Sequence, residues 1–309
     1  FLITVIVGTI LLSLPIASAN GTWTDLLTAA FTSTTSVCVT GLVVVDTFSY
    51  WSLFGKGVIL ILIQIGGLGI VSIITLFMLL LRMKITLKST MLLQDAFNLN
   101  SKQGLLKFTI KVIKGTFLIE GIGALIYSFY YCREYGFLKG IWFSVFHAVS
   151  AFCNAGIDIM GADSLISYHS NLLMMLNTSF LIIMGGIGFI VWWDTVEAFR
   201  RIRTKRCSIR SAWNGVHLQT KIAIFMTLLL LIGGTIVIYF LERSNPDTLG
   251  NLSEKDRILN AFFQSVTFRT AGFAAVSQVA LRPVTAFFGV LLMMIGGSPV
   301  GTAGGMKTV

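Results

Sequence analysis

The chain has 309 residues, of which 55% are hydrophobic and 12% charged, and its mean hydropathy is +0.85. Those values exclude a soluble globular domain and predict an integral membrane protein. The net charge of +10 lies in two clusters, Arg200, Arg201, Arg203, Lys205, Arg206 and Arg210 in one and Arg82, Lys84, Lys88, Lys102 and Lys107 in the other. That placement marks cytoplasmic loops of a membrane protein, and the apolar flanks of the 200–210 run argue against a nucleic-acid groove.

In chain order, residues 2–19 predict a first crossing. Ala17-Ser18-Ala19 resembles a signal-peptide cleavage site, but no basic residue precedes it, and the chain is expected to start inside its first helix. Trp23 to Ser36 is too short to cross at about 1.5 Å per residue, and 57–81 crosses again. The order recurs as 108–130, 139–152 and 171–193, and once more as 221–241, 256–268 and 284–309. The expected fold class is therefore an all-α polytopic membrane protein built from tandem membrane helix, pore loop, membrane helix repeats. The units are 1–82, 108–198 and 221–309, joined by cytoplasmic linkers at 83–107 and 199–220. With the basic linkers inside, the short helices enter from outside, where Asp25, Asp46, Glu134, Asp158, Asp163, Asp247, Glu254 and Asp256 form an acidic vestibule.

After each short helix lies one pattern: Val39-Thr40-Gly41-Leu42, Asn154-Ala155-Gly156-Ile157 and Thr270-Ala271-Gly272-Phe273. The glycines are 115 and 116 residues apart, counting from 41 to 156 and from 156 to 272. A chain that turns at mid-membrane must bury the turn in protein or beside water. Each short helix directs its negative dipole end at that turn, so the sign favours cations. None of the twelve side chains is charged, which leaves backbone carbonyls as the coordinating atoms, and glycine allows the positive φ that orients them.

These segments resemble the first three filter sequences of the Trk/Ktr/HKT superfamily of potassium transporters, most closely those of the Ktr-type membrane subunit. The resemblance implies four repeats, arranged like a potassium channel, around one pathway for K+ uptake, with the carbonyls of the twelve residues above as ligands. It also implies a homodimer in the bilayer of the cell (plasma) membrane, of bacterial inner-membrane type, and a cytoplasmic ring of RCK-type nucleotide-binding regulatory subunits. Na+ is a possible activator on the same ground, with no organic cofactor and no nucleic acid. The alternatives are another monovalent cation channel or a sodium-coupled cation transporter. An inverted-repeat transporter fits poorly, because both linkers lie on one side. An enzyme is not expected, since no nucleophile, base and orienter cluster and no metal-ligand set is present.

Gly296-Gly297-Ser298-Pro299-Val300-Gly301-Thr302-Ala303-Gly304-Gly305 cannot continue a regular helix. By resemblance, 296–305 is an intramembrane gate loop below the filter. A phosphate-binding loop is excluded because Met306 separates Gly305 from Lys307 and no strand precedes it. The earlier pairs, Gly66-Gly67 and Gly185-Gly186, are expected only to pack helices closely. Arg269, three residues before Gly272, is expected to support the filter from behind by pairing with carbonyls or an acid. Lys111 and Lys114 are expected to snorkel, and Glu120 to pair within the bundle. Cys38 and Cys153 are expected to pack as small apolar groups, and the three histidines to be structural. A fourth filter is expected near position 388, which is 116 residues after Gly272 and 79 beyond Val309, so the chain alone is expected not to conduct and both ends to be missing.

Overall fold

The structure is a computed structural model that describes residues 1–69, 105–161, 163–205 and 208–308. The expected linker at 83–107 and the inner part of the crossing at 57–81 fall almost wholly outside the described residues. Those described are helices and connecting turns, with only isolated bridges such as Ile295 to Met306.

The helices are α1 (Leu2–Ser13), α2 (Leu26–Cys38), α3 (Leu53–Leu68), α4 (Leu105–Tyr135), α5 (Phe137–Phe152), α6 (Leu172–Gly186), α7 (Phe189–Lys205), α8 (Ile209–Asn214), α9 (Leu218–Glu242), α10 (Glu254–Thr267) and α11 (Pro283–Met294). Between α2 and α3 lies a single helical turn, Thr47–Tyr50. Among the described residues, two straight helices are long and apolar enough to cross a bilayer, within α4 and α9. At 31 and 25 residues they run about 46 and 38 Å, more than the ~30 Å hydrocarbon core.

Their outer faces carry exposed Phe117, Leu118, Ile122, Leu125 and Phe129 on α4, and Leu228, Leu229, Ile232, Ile236 and Phe240 on α9. An apolar exterior of this extent is matched to lipid. By contrast, α2, α5 and α10 have 13, 16 and 14 residues, about 20–24 Å each. They start on polar caps where the sequence supplies them: Asp25 accepts from the Leu27 and Thr28 amides, and Ser253 from the Asp256 amide.

The short helices are buried at their C-terminal ends. Phe146, Phe152, Phe263 and the small polar Ser33, Ser36, Ser150 and Ser265 are all almost fully enclosed. Helix α2 packs on α1 and α3, α5 on α4 and α6, and α10 on α9 and α6. Long apolar helices thus surround short ones whose ends converge inside.

The expected crossing at 171–193 is not one straight helix. It breaks between α6 and α7, which meet at a bend of 98°. Gly188 adopts φ +95 at the break, a conformation that a residue with a Cβ rarely takes. Helix α7 then continues to Lys205, so the first part of the basic linker at 199–220 is helical. The bend is held because its freed backbone groups find partners in the glycine-rich segment after α11. The Ser298 amide donates to Gly186 O (2.9 Å), the Thr302 amide to Gly185 O (3.0 Å) and the Phe189 amide to Val300 O (3.0 Å). Gly185-Gly186 therefore serves a break as well as close packing.

Candidate cation-binding site

The C-terminal ends of α2, α5 and α10 bring the three glycines to one place. A Cβ added to Gly41 would stand 2.4 Å from Ala155 O, and one added to Gly156 would stand 2.4 Å from Ala271 O and 2.7 Å from the Gly272 Cα. The same addition at Gly272 would meet the Gly156 Cα at 3.2 Å. The backbones are in mutual contact, with no room for side chains.

Each segment has positive φ at its first and third residues: Val39 (55) and Gly41 (76), Asn154 (58) and Gly156 (63), Thr270 (66) and Gly272 (88). Positive φ at a β-branched residue costs on the order of 1–3 kcal/mol. It recurs at two such residues, Val39 and Thr270, in equivalent places. Alternating hand makes successive peptide units face one side, which the glycine alone does not accomplish. Nothing in Val39 or Thr270 as residue types announces this.

A second recurring feature was also missed from sequence. A hydroxyl near the end of each short helix holds the residue after the glycine. Thr35 Oγ1 accepts from the Leu42 amide (3.0 Å), Ser150 Oγ donates to Ile157 O (2.5 Å) and Thr267 Oγ1 donates to Phe273 O (2.7 Å). The signal is a Ser or Thr five or six residues before each glycine. The chain reverses over a span too short for regular hydrogen bonds, and the hydroxyl supplies one.

Gly41, Gly156 and Gly272 open on a common cleft of about 350 Å³, lined also by Val43, Val44, Asp46, Ile157, Asp158 and Gly161. Of the eight outer acids expected from sequence, Asp46 and Asp158 line this cleft. Burial pushes the Asp46 carboxyl upward, but hydrogen bonds from the Ser49 side chain and the Ser49 and Phe48 amides, with the charge of Lys56, outweigh it and hold the group below its usual range. The Asp46 side of the cleft is therefore anionic at neutral pH.

The segment 296–305 lies against the other side of these turns. It is a closed hairpin, with the Gly296 amide donating to Met306 O (3.1 Å) and the Gly297 amide to Gly304 O (3.2 Å). Two contacts reach the glycine segments directly: Asn154 Nδ2 donates to Thr302 Oγ1 (2.6 Å), and the Gly304 amide donates to Thr270 Oγ1 (2.8 Å). Arg269 is 6% exposed, and its Nη2 donates to Gly296 O (3.3 Å). A loop carbonyl, rather than an acid, is therefore the partner recorded for this buried cation.

Glu120 is buried and accepts from Gln64 Nε2 (3.2 Å). Cys153 is buried as expected, but Cys38, the last residue of α2, is exposed. His147 holds backbone at Phe143 O and the Ile159 amide, whereas His217 pairs with Asp194 at 2.8 Å.

Residues 3–309 match the family described as TrkH, cation transport protein. The "Potassium/sodium uptake protein NtpJ" of Enterococcus hirae is 40% identical over 308 residues, covering 100% of this chain and 65% of that protein. The "Ktr system potassium uptake protein B" of Bacillus subtilis is 39% identical over 308 residues, covering 99% and 66%. The chain thus spans about two thirds of the length of these relatives. Among solved structures, the potassium transporter TrkH from Vibrio parahaemolyticus superposes with a TM-score of 0.68 at 17% identity, over 99% of this chain and 58% of that one.

Proposed function

The chain belongs to the TrkH family of cation transport proteins, and on that premise we propose that it forms part of a potassium uptake pathway through the cell membrane. One observation carries the reading. Three uncharged segments converge with the same alternation of positive φ, at backbone contact distance. Such a site strips water from a cation and replaces it with carbonyl oxygens. The carbonyls of residues 39–42, 154–157 and 270–273 are the proposed ligands.

The negative ends of α2, α5 and α10 stabilise the dehydrated ion, and the cleft with Asp46 and Asp158 raises the local cation concentration. In this reading the repeats at 1–82, 108–198 and 221–309 are pore units. The loop at 296–305 is the gate, which closes the pathway when docked and opens it by moving away. Arg269, through Gly296 O, holds the docked loop against the third segment. Regulation by a cytoplasmic RCK-type ring, assembly as a homodimer and activation by sodium extend the same proposal from the family resemblance.

The test is uptake of radioactive rubidium into cells that lack their own potassium uptake systems, by the full-length protein. Uptake above that of control cells, displaced by excess potassium, supports the reading; uptake equal to the control contradicts it. Sodium as a second transported ion is favoured by the relative from Enterococcus hirae, which is named a potassium/sodium uptake protein. Sodium flux in the same cells distinguishes the two.

A further inference from the structure

Asn154 has two polar ends, and the protein itself satisfies one. Its Nδ2 donates to Thr302 Oγ1 (2.6 Å), which in turn donates to Phe152 O (2.9 Å). Because that hydroxyl spends its proton on Phe152 O, it must accept from Asn154, and the orientation of the amide follows. Oδ1 is then the remaining end, buried and without a partner in the protein.

Arg269 presents the complement. Its Nη2 reaches Gly296 O (3.3 Å), while its Nε–H is likewise buried and without a partner. Leaving either atom so is unfavourable, because a buried polar group without a partner keeps its full desolvation penalty. Asn154 and Arg269 line one small cavity of about 10 Å³, together with Ile182, Ile183, Gly186 and Ala303. That is room for a single water centre.

We propose that this cavity binds one structural water, which accepts from Arg269 Nε–H and donates to Asn154 Oδ1. A water both accepts and donates, so it suits one free donor and one free acceptor. A sodium ion is repelled by the guanidinium, and an anion by the amide oxygen. The relay Arg269, water, Asn154, Thr302 ties the loop to the second glycine segment and, through Arg269, to the third. It makes Thr302 a positioning residue for the docked loop; its effect on flux rests on the gate reading above, whereas the water site does not.

Two measurements on the full-length protein test the proposal. A map of about 2 Å resolution should show one water within hydrogen-bond distance of both Arg269 Nε and Asn154 Oδ1, and Ala303→Val should displace it. In the rubidium assay at matched membrane abundance, Thr302→Val, which keeps the volume and loses the hydroxyl, should raise initial uptake at least ~3-fold, the equivalent of one hydrogen bond. Thr302→Ser should behave as the unmodified protein. A cavity that is dry or filled by a side chain overturns the site. Uptake unchanged in Thr302→Val, while Gly156→Ala abolishes it, overturns the relay and leaves the pore reading standing. No uptake by the unmodified protein, with the water present, overturns the pore reading and leaves the site.

Discussion

Asn154 and Thr302, 148 positions apart in the chain, share a hydrogen bond of 2.6 Å. The bond joins a residue held at φ 58 beside the second glycine to the segment that fills the break between α6 and α7. The geometry of the glycine turns and the placement of the loop are therefore interdependent.

Alanine at the three glycines should not be equally harmful. A Cβ at Gly41 or Gly156 meets a backbone carbonyl oxygen at 2.4 Å, whereas at Gly272 the nearest atom is 3.2 Å away. All three carry the strain of positive φ, but the first two must displace backbone much further than the third, at a cost of about 1–3 kcal/mol or more. Rubidium uptake should be abolished in Gly41→Ala and Gly156→Ala and partly retained in Gly272→Ala. Equal loss in all three contradicts the convergence described.

The hydroxyl tethers at Ser150 and Thr267 are buried. Ser150→Ala and Thr267→Val each remove a donor from a carbonyl just after the glycine, costing about 1 kcal/mol. The turn loosens without collapsing, so competition by sodium against rubidium uptake should strengthen while membrane abundance stays unchanged. Unaltered competition in both variants shows that the tethers do not shape the site.

Deleting 298–305 removes the segment that occupies the break at Gly186 and Gly188. Rubidium uptake by the folded full-length variant should rise, which is the outcome the proposed gate requires. Lower or unchanged uptake at normal membrane abundance counts against a gate.

Glu242 ends α9 fully buried and accepts from the Arg282 amide (3.0 Å), Asn245 Nδ2 (2.7 Å) and Thr248 Oγ1 (2.6 Å). This carboxylate ties α9 to the start of α11 and to the turn before α10. Glu242→Ala strands three donors and should destabilise the protein by about 3 kcal/mol or more. Thermal unfolding in detergent reads this as a clear fall in Tm, and an unchanged Tm contradicts the role.

What could be read from the sequence was whatever depends on spacing and polarity. Three gap-free segments, short helices between long apolar ones and a glycine run with a proline all follow from residue types along the chain. The convergence of those segments is a long-range fact that periodicity does not encode. The bend at 186–188 was hidden because Gly185-Gly186 also suits close helix packing, and only the partner loop distinguishes a break from a contact. Positive φ at Val39 and Thr270 contradicts the preferences of β-branched residues. It is accompanied by long-range partners that residue types do not announce: the Thr35 and Thr267 hydroxyls at the residues after the glycines and the Gly304 amide at Thr270. Nothing in the residue types ties the Asn154 side chain to Thr302, 148 positions away, because only the fold brings the two together.

The central claim is that one dehydrated cation sits where Gly41, Gly156 and Gly272 meet. Anomalous diffraction from crystals of the full-length protein grown with rubidium or thallium tests it most directly. The account predicts a peak on the axis of the three segments, within reach of the carbonyls of residues 39–42, 154–157 and 270–273. A well-ordered structure with no peak there, and ions bound only elsewhere, contradicts it.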